Sequence, residues 1–80
     1  MHIEIYGTTW CGFCQQAKRL CETNKYNYTY TDVDDTNALR KLEERLGQKV
    51  RAVPQIFLDG KHVPNGFTGL KQELLKISSD

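Results

Sequence analysis

Apolar and polar residues alternate at the start of the chain. In His2-Ile3-Glu4-Ile5-Tyr6 the two isoleucines fall on one side, the period of a strand. The period lengthens at Ala17, Leu20 and Cys21, which share one face while Gln15, Lys18, Arg19 and Glu22 lie mostly outside. A helix is therefore expected over residues 12 to 24, with Asn24 as its stop. Residues 26 to 33, "YNYTYTDV", return to period two with tyrosines and β-branched residues, which favours a second strand. Leu39, Leu42 and Leu46 then repeat at three and four, predicting a helix over 36 to 46 that Gly47 closes. "PQIFL" reads as a buried strand, Asp59-Gly60 as a hairpin turn and "KHV" as the return strand. Leu70, Leu74 and Ile77 form the stripe of a last helix, expected to begin near Thr68, whose hydroxyl can cap it.

The element order is thus β-α-β-α-β-β-α. A parallel pair joined by a helix and followed by a hairpin predicts an α/β fold, a small mixed four-stranded sheet flanked by three helices, with a right-handed crossover. Eighty residues leave no room for a second core, so residues 1–80 are expected to form a single domain.

Charge narrows the function by exclusion. The formal net charge is +1, and the basic residues are scattered among acidic neighbours, without the basic stripe that a nucleic-acid surface needs. Apolar runs are too short for a membrane span, and "MHIEIY" lacks the basic start and apolar stretch of a signal peptide. A cytoplasmic protein is the expectation.

The candidate chemistry lies in "TTWCGFCQQAKRL", where Cys11 and Cys14 stand two residues apart between the first strand and the first helix. Unpaired N–H groups and the helix dipole favour a thiolate at Cys11, so it is the expected nucleophile. Cys14, one turn deeper, suits the resolving role, attacking a mixed disulfide on Cys11. A structural zinc site would have to recruit Cys21, His2 or His62, and no second C-x-x-C or H-x-x-x-H motif exists. No resident metal is expected. A permanent disulfide across so short a loop would constrain the unfolded chain little. Cys21 reads as a small core residue.

The "CGFC" pair after a first strand, "AVPQIF" about forty residues later and "NGF" before the last helix together resemble a glutaredoxin, over nearly the whole chain. The resemblance implies the thioredoxin fold, dithiol exchange at Cys11 and Cys14, and glutathione as reductant or co-substrate, with no tightly bound cofactor. It implies a cis-Pro54 facing the thiols, with Val53 offering backbone groups to glutathione. It assigns Gly66, Phe67 and Thr68 to the glutathione groove, with Thr8, Trp10 and Phe13 around the thiols. It also implies disulfide-bearing client proteins, with ribonucleotide reductase as a candidate, and a monomer. Thr8 stands where many glutaredoxins carry a basic residue, Asn65-Gly66 where they often have Gly-Gly, and Gly69 where an acidic residue often holds the γ-glutamyl amine. Gly69→Asp is accordingly expected to bring a small gain in glutathione use. Arg45, Lys49 and Arg51 are candidates for the missing carboxylate contacts. Three other readings stay open: a redoxin fed by thioredoxin reductase, a carrier of a glutathione-bridged iron–sulfur cluster, and a non-catalytic binding module.

Overall fold

Ile3 and Ile5 face one side of the first strand, β1 (His2–Gly7), and Glu4 and Tyr6 face the other; this alternation divides the molecule. In the computed structural model, which describes residues 1–78, β1 is an inner strand of a sheet ordered β2-β1-β3-β4. Strand β2 (Asn27–Asp32) lies parallel to β1, with Ile3 opposite Tyr28 and Ile5 opposite Tyr30. Strand β3 (Gln55–Leu58) runs antiparallel on its other side, pairing Ile5 with Ile56, and β4 (Lys61–Val63) completes the hairpin. Asp59 and Gly60 both take positive φ, 49° and 84°, as a two-residue turn matched to the twist of the strands requires.

Ile3, Ile5, Ile56 and Val63 pack against Ala17 and Cys21 of helix α1 (Gly12–Thr23) and Leu70 and Leu74 of helix α3 (Gly66–Ser78). Ile3, Ile5, Ile56 and Leu70 have no exposed surface, and burying such a side chain fully contributes about 1.5 to 3 kcal/mol. This face is therefore the anchor of the fold. On the other face, helix α2 (Thr36–Leu46) sets Leu42 against Phe57 and Val33. Arg45 finishes that layer: its guanidinium lies 3.7 Å from the Phe57 ring centroid and forks onto both Glu4 oxygens at 2.6 and 3.1 Å.

The helix ends follow local chemistry. Asp35 caps α2 through its carboxylate, accepting from the N–H groups of Asn37 and Ala38, and Gly47 ends it in the left-handed conformation. Asn24 ends α1 without a left-handed turn; Lys25 takes the positive φ, 58°, while the Asn24 side-chain amide donates to Leu20 O.

Two expectations for the last helix need correction. It begins at Gly66, two residues before Thr68: Asn65 and Gly66 turn the chain at positive φ, and the Gly69 N–H already bonds to Asn65 O at 3.1 Å. Thr68 is an exposed residue inside the first turn and not the cap. Ile77 is 52% exposed, because the helix outruns the hydrophobic cluster, which ends at Leu74.

Candidate active site

Strand β1 delivers the chain to residues 8–11, and α1 starts at Gly12, so Cys11 is the N-cap. Its sulfur accepts the Cys14 backbone N–H at 3.3 Å, taking one of the donors that a helix start leaves unpaired. It also contacts the Val53 carbonyl oxygen at 3.8 Å, across the bend made by the cis Val53–Pro54 peptide bond. Cys11 is partly exposed, Cys14 and Cys21 are buried, and all three are free thiols.

The two thiols of the motif are therefore unequal. Burial, followed by the Cys11 sulfur beside it, pushes the Cys14 thiol up to about 11. Cys11 alone has an open approach, while Cys14 meets only what becomes attached to Cys11. Burial likewise pushes Cys21 up to about 11, but that residue is fully buried in the core that α1 and α3 share.

A cleft of about 460 Å³ opens alongside. Phe13, Val53, Pro54, Gly66, Phe67 and Thr68 line it together, so most of the expected groove residues converge on one surface. Phe13 and Phe67 flank it as a tilted pair with ring centroids 6.4 Å apart, and the Lys71 ammonium sits 4.8 Å from the Phe67 centroid. Such a volume, with apolar walls and a few polar groups, falls in the range of small-ligand sites.

Thr8 and Trp10 do not line this cleft. Thr8 is 3% exposed, and its hydroxyl has no hydrogen-bond partner among the described residues. Its carbonyl is busy instead, accepting the Tyr30 hydroxyl at 2.7 Å and the Gln15 amide at 3.1 Å. Trp10 is 73% exposed and directs its indole N–H to Asp34 at 3.1 Å. Arg45 is committed to Glu4 and Phe57 on the α2 side, while Lys49 and Arg51 border a second hollow that shares Gln48, Ala52 and Gln55 with the cleft.

Gln48 and Gln55 line the cleft without having been singled out in the sequence, and His62, considered there only as a zinc ligand, lines it too. His62 Nε2 and Gln55 Oε1 lie 2.8 Å apart, and residue 55 follows Pro54 directly, the one signal that could have flagged it. Gly69 needs a further correction. A Cβ there would lie 1.8 Å from the Pro64 carbonyl oxygen, so the helix start is closed to the carboxylate that was expected to improve glutathione use. Among the described residues, no three His, Cys, Asp or Glu side chains gather as a metal set, and no helix is long and apolar enough to cross a membrane.

The glutaredoxin family model matches residues 3–63, from the first strand through the hairpin. The chain belongs to the glutaredoxin family. It is 36% identical over 69 residues to a glutaredoxin of Vibrio cholerae, covering 79% of each chain, and 32% identical over 74 residues to glutaredoxin 1 of Escherichia coli, covering 85% of this chain and 86% of that one. The crystal structure of glutaredoxin 1 from Francisella tularensis superimposes with a TM-score of 0.77 at 32% identity, over 99% of this chain and 98% of that one. This glutaredoxin accordingly has the thioredoxin-like fold and is a thiol–disulfide oxidoreductase.

Proposed function

We propose that this glutaredoxin is a dithiol enzyme that reduces protein disulfides and glutathione mixed disulfides, with glutathione restoring the reduced pair. The observation that carries the reading is the inequality of the two sulfurs: Cys11 is an accessible N-cap receiving a backbone N–H, and Cys14 is buried directly behind it. The Cys11 thiolate attacks a substrate sulfur, the substrate S–S bond breaks, and the leaving thiolate takes a proton. Cys14 then attacks Cys11, releasing the second substrate thiol and leaving the Cys11–Cys14 disulfide. Two glutathione molecules reverse this, one forming a mixed disulfide with the enzyme and the second displacing it as oxidised glutathione.

Glutathione fits the cleft by chemistry. Its extended peptide has the Val53 backbone and the α3 start at hand, the apolar pair Phe13 and Phe67 flanks it, and Lys49 and Arg51 bring positive charge to the adjoining hollow. Client proteins with exposed disulfides, ribonucleotide reductase among them, meet the same face, and the free thiols suit the cytoplasm.

The test pairs a coupled assay with trapping. Turnover is expected with glutathione and glutathione reductase and not with thioredoxin reductase. Cys11→Ser should form no adduct with an oxidised substrate, and Cys14→Ser should accumulate one at Cys11, seen by mass spectrometry. Turnover with thioredoxin reductase alone overturns the glutathione assignment, and an adduct on Cys14 in the Cys11→Ser protein reverses the roles. A visible chromophore formed with Cys11 and glutathione on anaerobic reconstitution with iron and sulfide, without disulfide turnover, would make the protein a cluster carrier.

A further inference from the structure

Around Cys14, the Tyr30 hydroxyl, the Gln15 amide and the Thr8 carbonyl form a cluster of polar groups that the exchange reaction does not itself require. Gly7 ends β1 there, and a Cβ on Gly7 would fall 2.6 Å from Cys14 Sγ and 2.8 Å from the Tyr30 hydroxyl. The absence of a side chain at residue 7 is thus what lets the sulfur and the phenol approach the same point. Tyr30 reaches this point from β2, and Gln15 from α1: the Gln15 amide lies 3.3 Å from the Tyr30 hydroxyl and 3.1 Å from Thr8 O. The Tyr30 hydroxyl itself donates to Thr8 O at 2.7 Å.

We infer that Tyr30 positions Cys14 for resolution, its hydroxyl turning from the Thr8 carbonyl to the Cys14 sulfur as that sulfur gives up its proton. The inference rests on Cys14 being the resolving thiol. Thr8 O has two donors in the resting state, so when Tyr30 turns its hydrogen to Cys14, Gln15 still satisfies the carbonyl. The switch therefore leaves no buried acceptor empty, a loss that would otherwise oppose it. Each step balances: the Cys14 S–H proton leaves to solvent, the thiolate lone pair forms the Cys11–Cys14 bond, and the electron pair of the old S–S bond departs with the substrate sulfur. Tyr30 keeps its own proton, since burial and then the charge on Cys14 push it up to about 12. Its action on Cys14 opposes burial and Cys11, which hold that thiol up, and the Thr8 backbone acts in the same sense as Tyr30. The other charged groups near this point are Cys11, Asp32 on β2, which also raises Tyr30, and Lys18, whose ammonium lies 5.6 Å from the Tyr30 ring centroid.

The experiment separates the two halves of the reaction in Tyr30→Phe, which keeps the ring and loses the hydroxyl. A mixed disulfide preformed on Cys11 is mixed rapidly across a pH series, and release of the substrate thiol is timed. Resolution is expected to slow about tenfold, the loss of one hydrogen bond to a developing charge, with its rise in rate moved to higher pH. Formation of the mixed disulfide should be unchanged, and in a Cys14→Ser background Tyr30→Phe should change nothing. Gln15→Met, which removes the reserve donor to Thr8 O, should slow the same step by a smaller factor. Unchanged resolution and pH profile in Tyr30→Phe, or equal slowing of both steps, overturns the inference. If Cys14→Ser itself leaves thiol release intact, it is the assignment of Cys14 that fails.

Discussion

Placing a methyl group on Gly69 opposes two effects of known size. Glycine inside a helix is worse than alanine by about 0.8 to 1 kcal/mol, so Gly69→Ala would ordinarily stabilise the protein. Here the new Cβ would meet the Pro64 carbonyl oxygen at 1.8 Å, the Pro64 carbonyl carbon at 2.9 Å and Val63 Cγ1 at 3.2 Å. Two of those atoms are backbone and cannot rotate aside; Pro64 leads into Asn65 and Gly66, both already at positive φ. Overpacking costs about 1 to 3 kcal/mol, and overlap with a main-chain oxygen lies at the top of that range. Subtracting the propensity gain leaves a net loss of about 2 kcal/mol. For a chain of this length each kcal/mol moves the melting temperature by about 4 to 8 °C, so a fall of about 8 to 16 °C is expected. Gly12→Ala is the control: Gly12 opens α1 with nothing within 4 Å of its Cβ position, so the same substitution there should be neutral or stabilising by up to about 1 kcal/mol. Urea unfolding followed by far-ultraviolet circular dichroism, with a thermal melt, measures both. A Gly69→Ala protein as stable as its parent would refute the reasoning and reopen the helix start to a carboxylate.

Cys21→Ala should retain disulfide exchange while losing about 1 kcal/mol of stability for the sulfur removed from the core. Because burial raises Cys21 to about 11 in the fold, its contribution is full below the unfolded thiol's range and is lost as pH rises from about 9 toward 11. Denaturant unfolding across that window should show a shallower alkaline fall in Cys21→Ala than in the parent; loss of turnover in the folded variant would instead place Cys21 in the redox cycle. Glu4 is held below the usual carboxylate range first by its hydrogen bonds from Arg45, so its contribution is present above the unfolded carboxylate pKa and disappears as pH falls through the lowered one. Glu4→Gln should therefore cost about 0.2 to 1 kcal/mol at neutral pH, discounted for a pair that is partly exposed, and nothing in acid; an equal cost at both pH values would show that packing, not charge, is lost.

Periodicity in the sequence was enough for the elements themselves, the start of α3 and the Ile77 end of its stripe excepted. The alternation of Ile3 and Ile5, the leucine stripe of α2, the left-handed Gly47 and the Asp59-Gly60 turn are local patterns, each written within a few residues, and each element formed where its pattern lies. The C-x-x-C spacing at a strand-to-helix junction likewise sufficed to put Cys11 at a helix start, because an N-cap is a local event. Most contacts between distant segments are not written in these local patterns. Pro64 lying over Gly69, Gly7 giving room to Cys14 and Tyr30, Thr8 turning its side chain inward and its carbonyl to β2, and Arg45 being spent on Glu4 are contacts between elements, fixed only when the helices close on the sheet. Chain pattern decided which residues form each face; the packing of those faces decided which polar groups were left to meet a substrate.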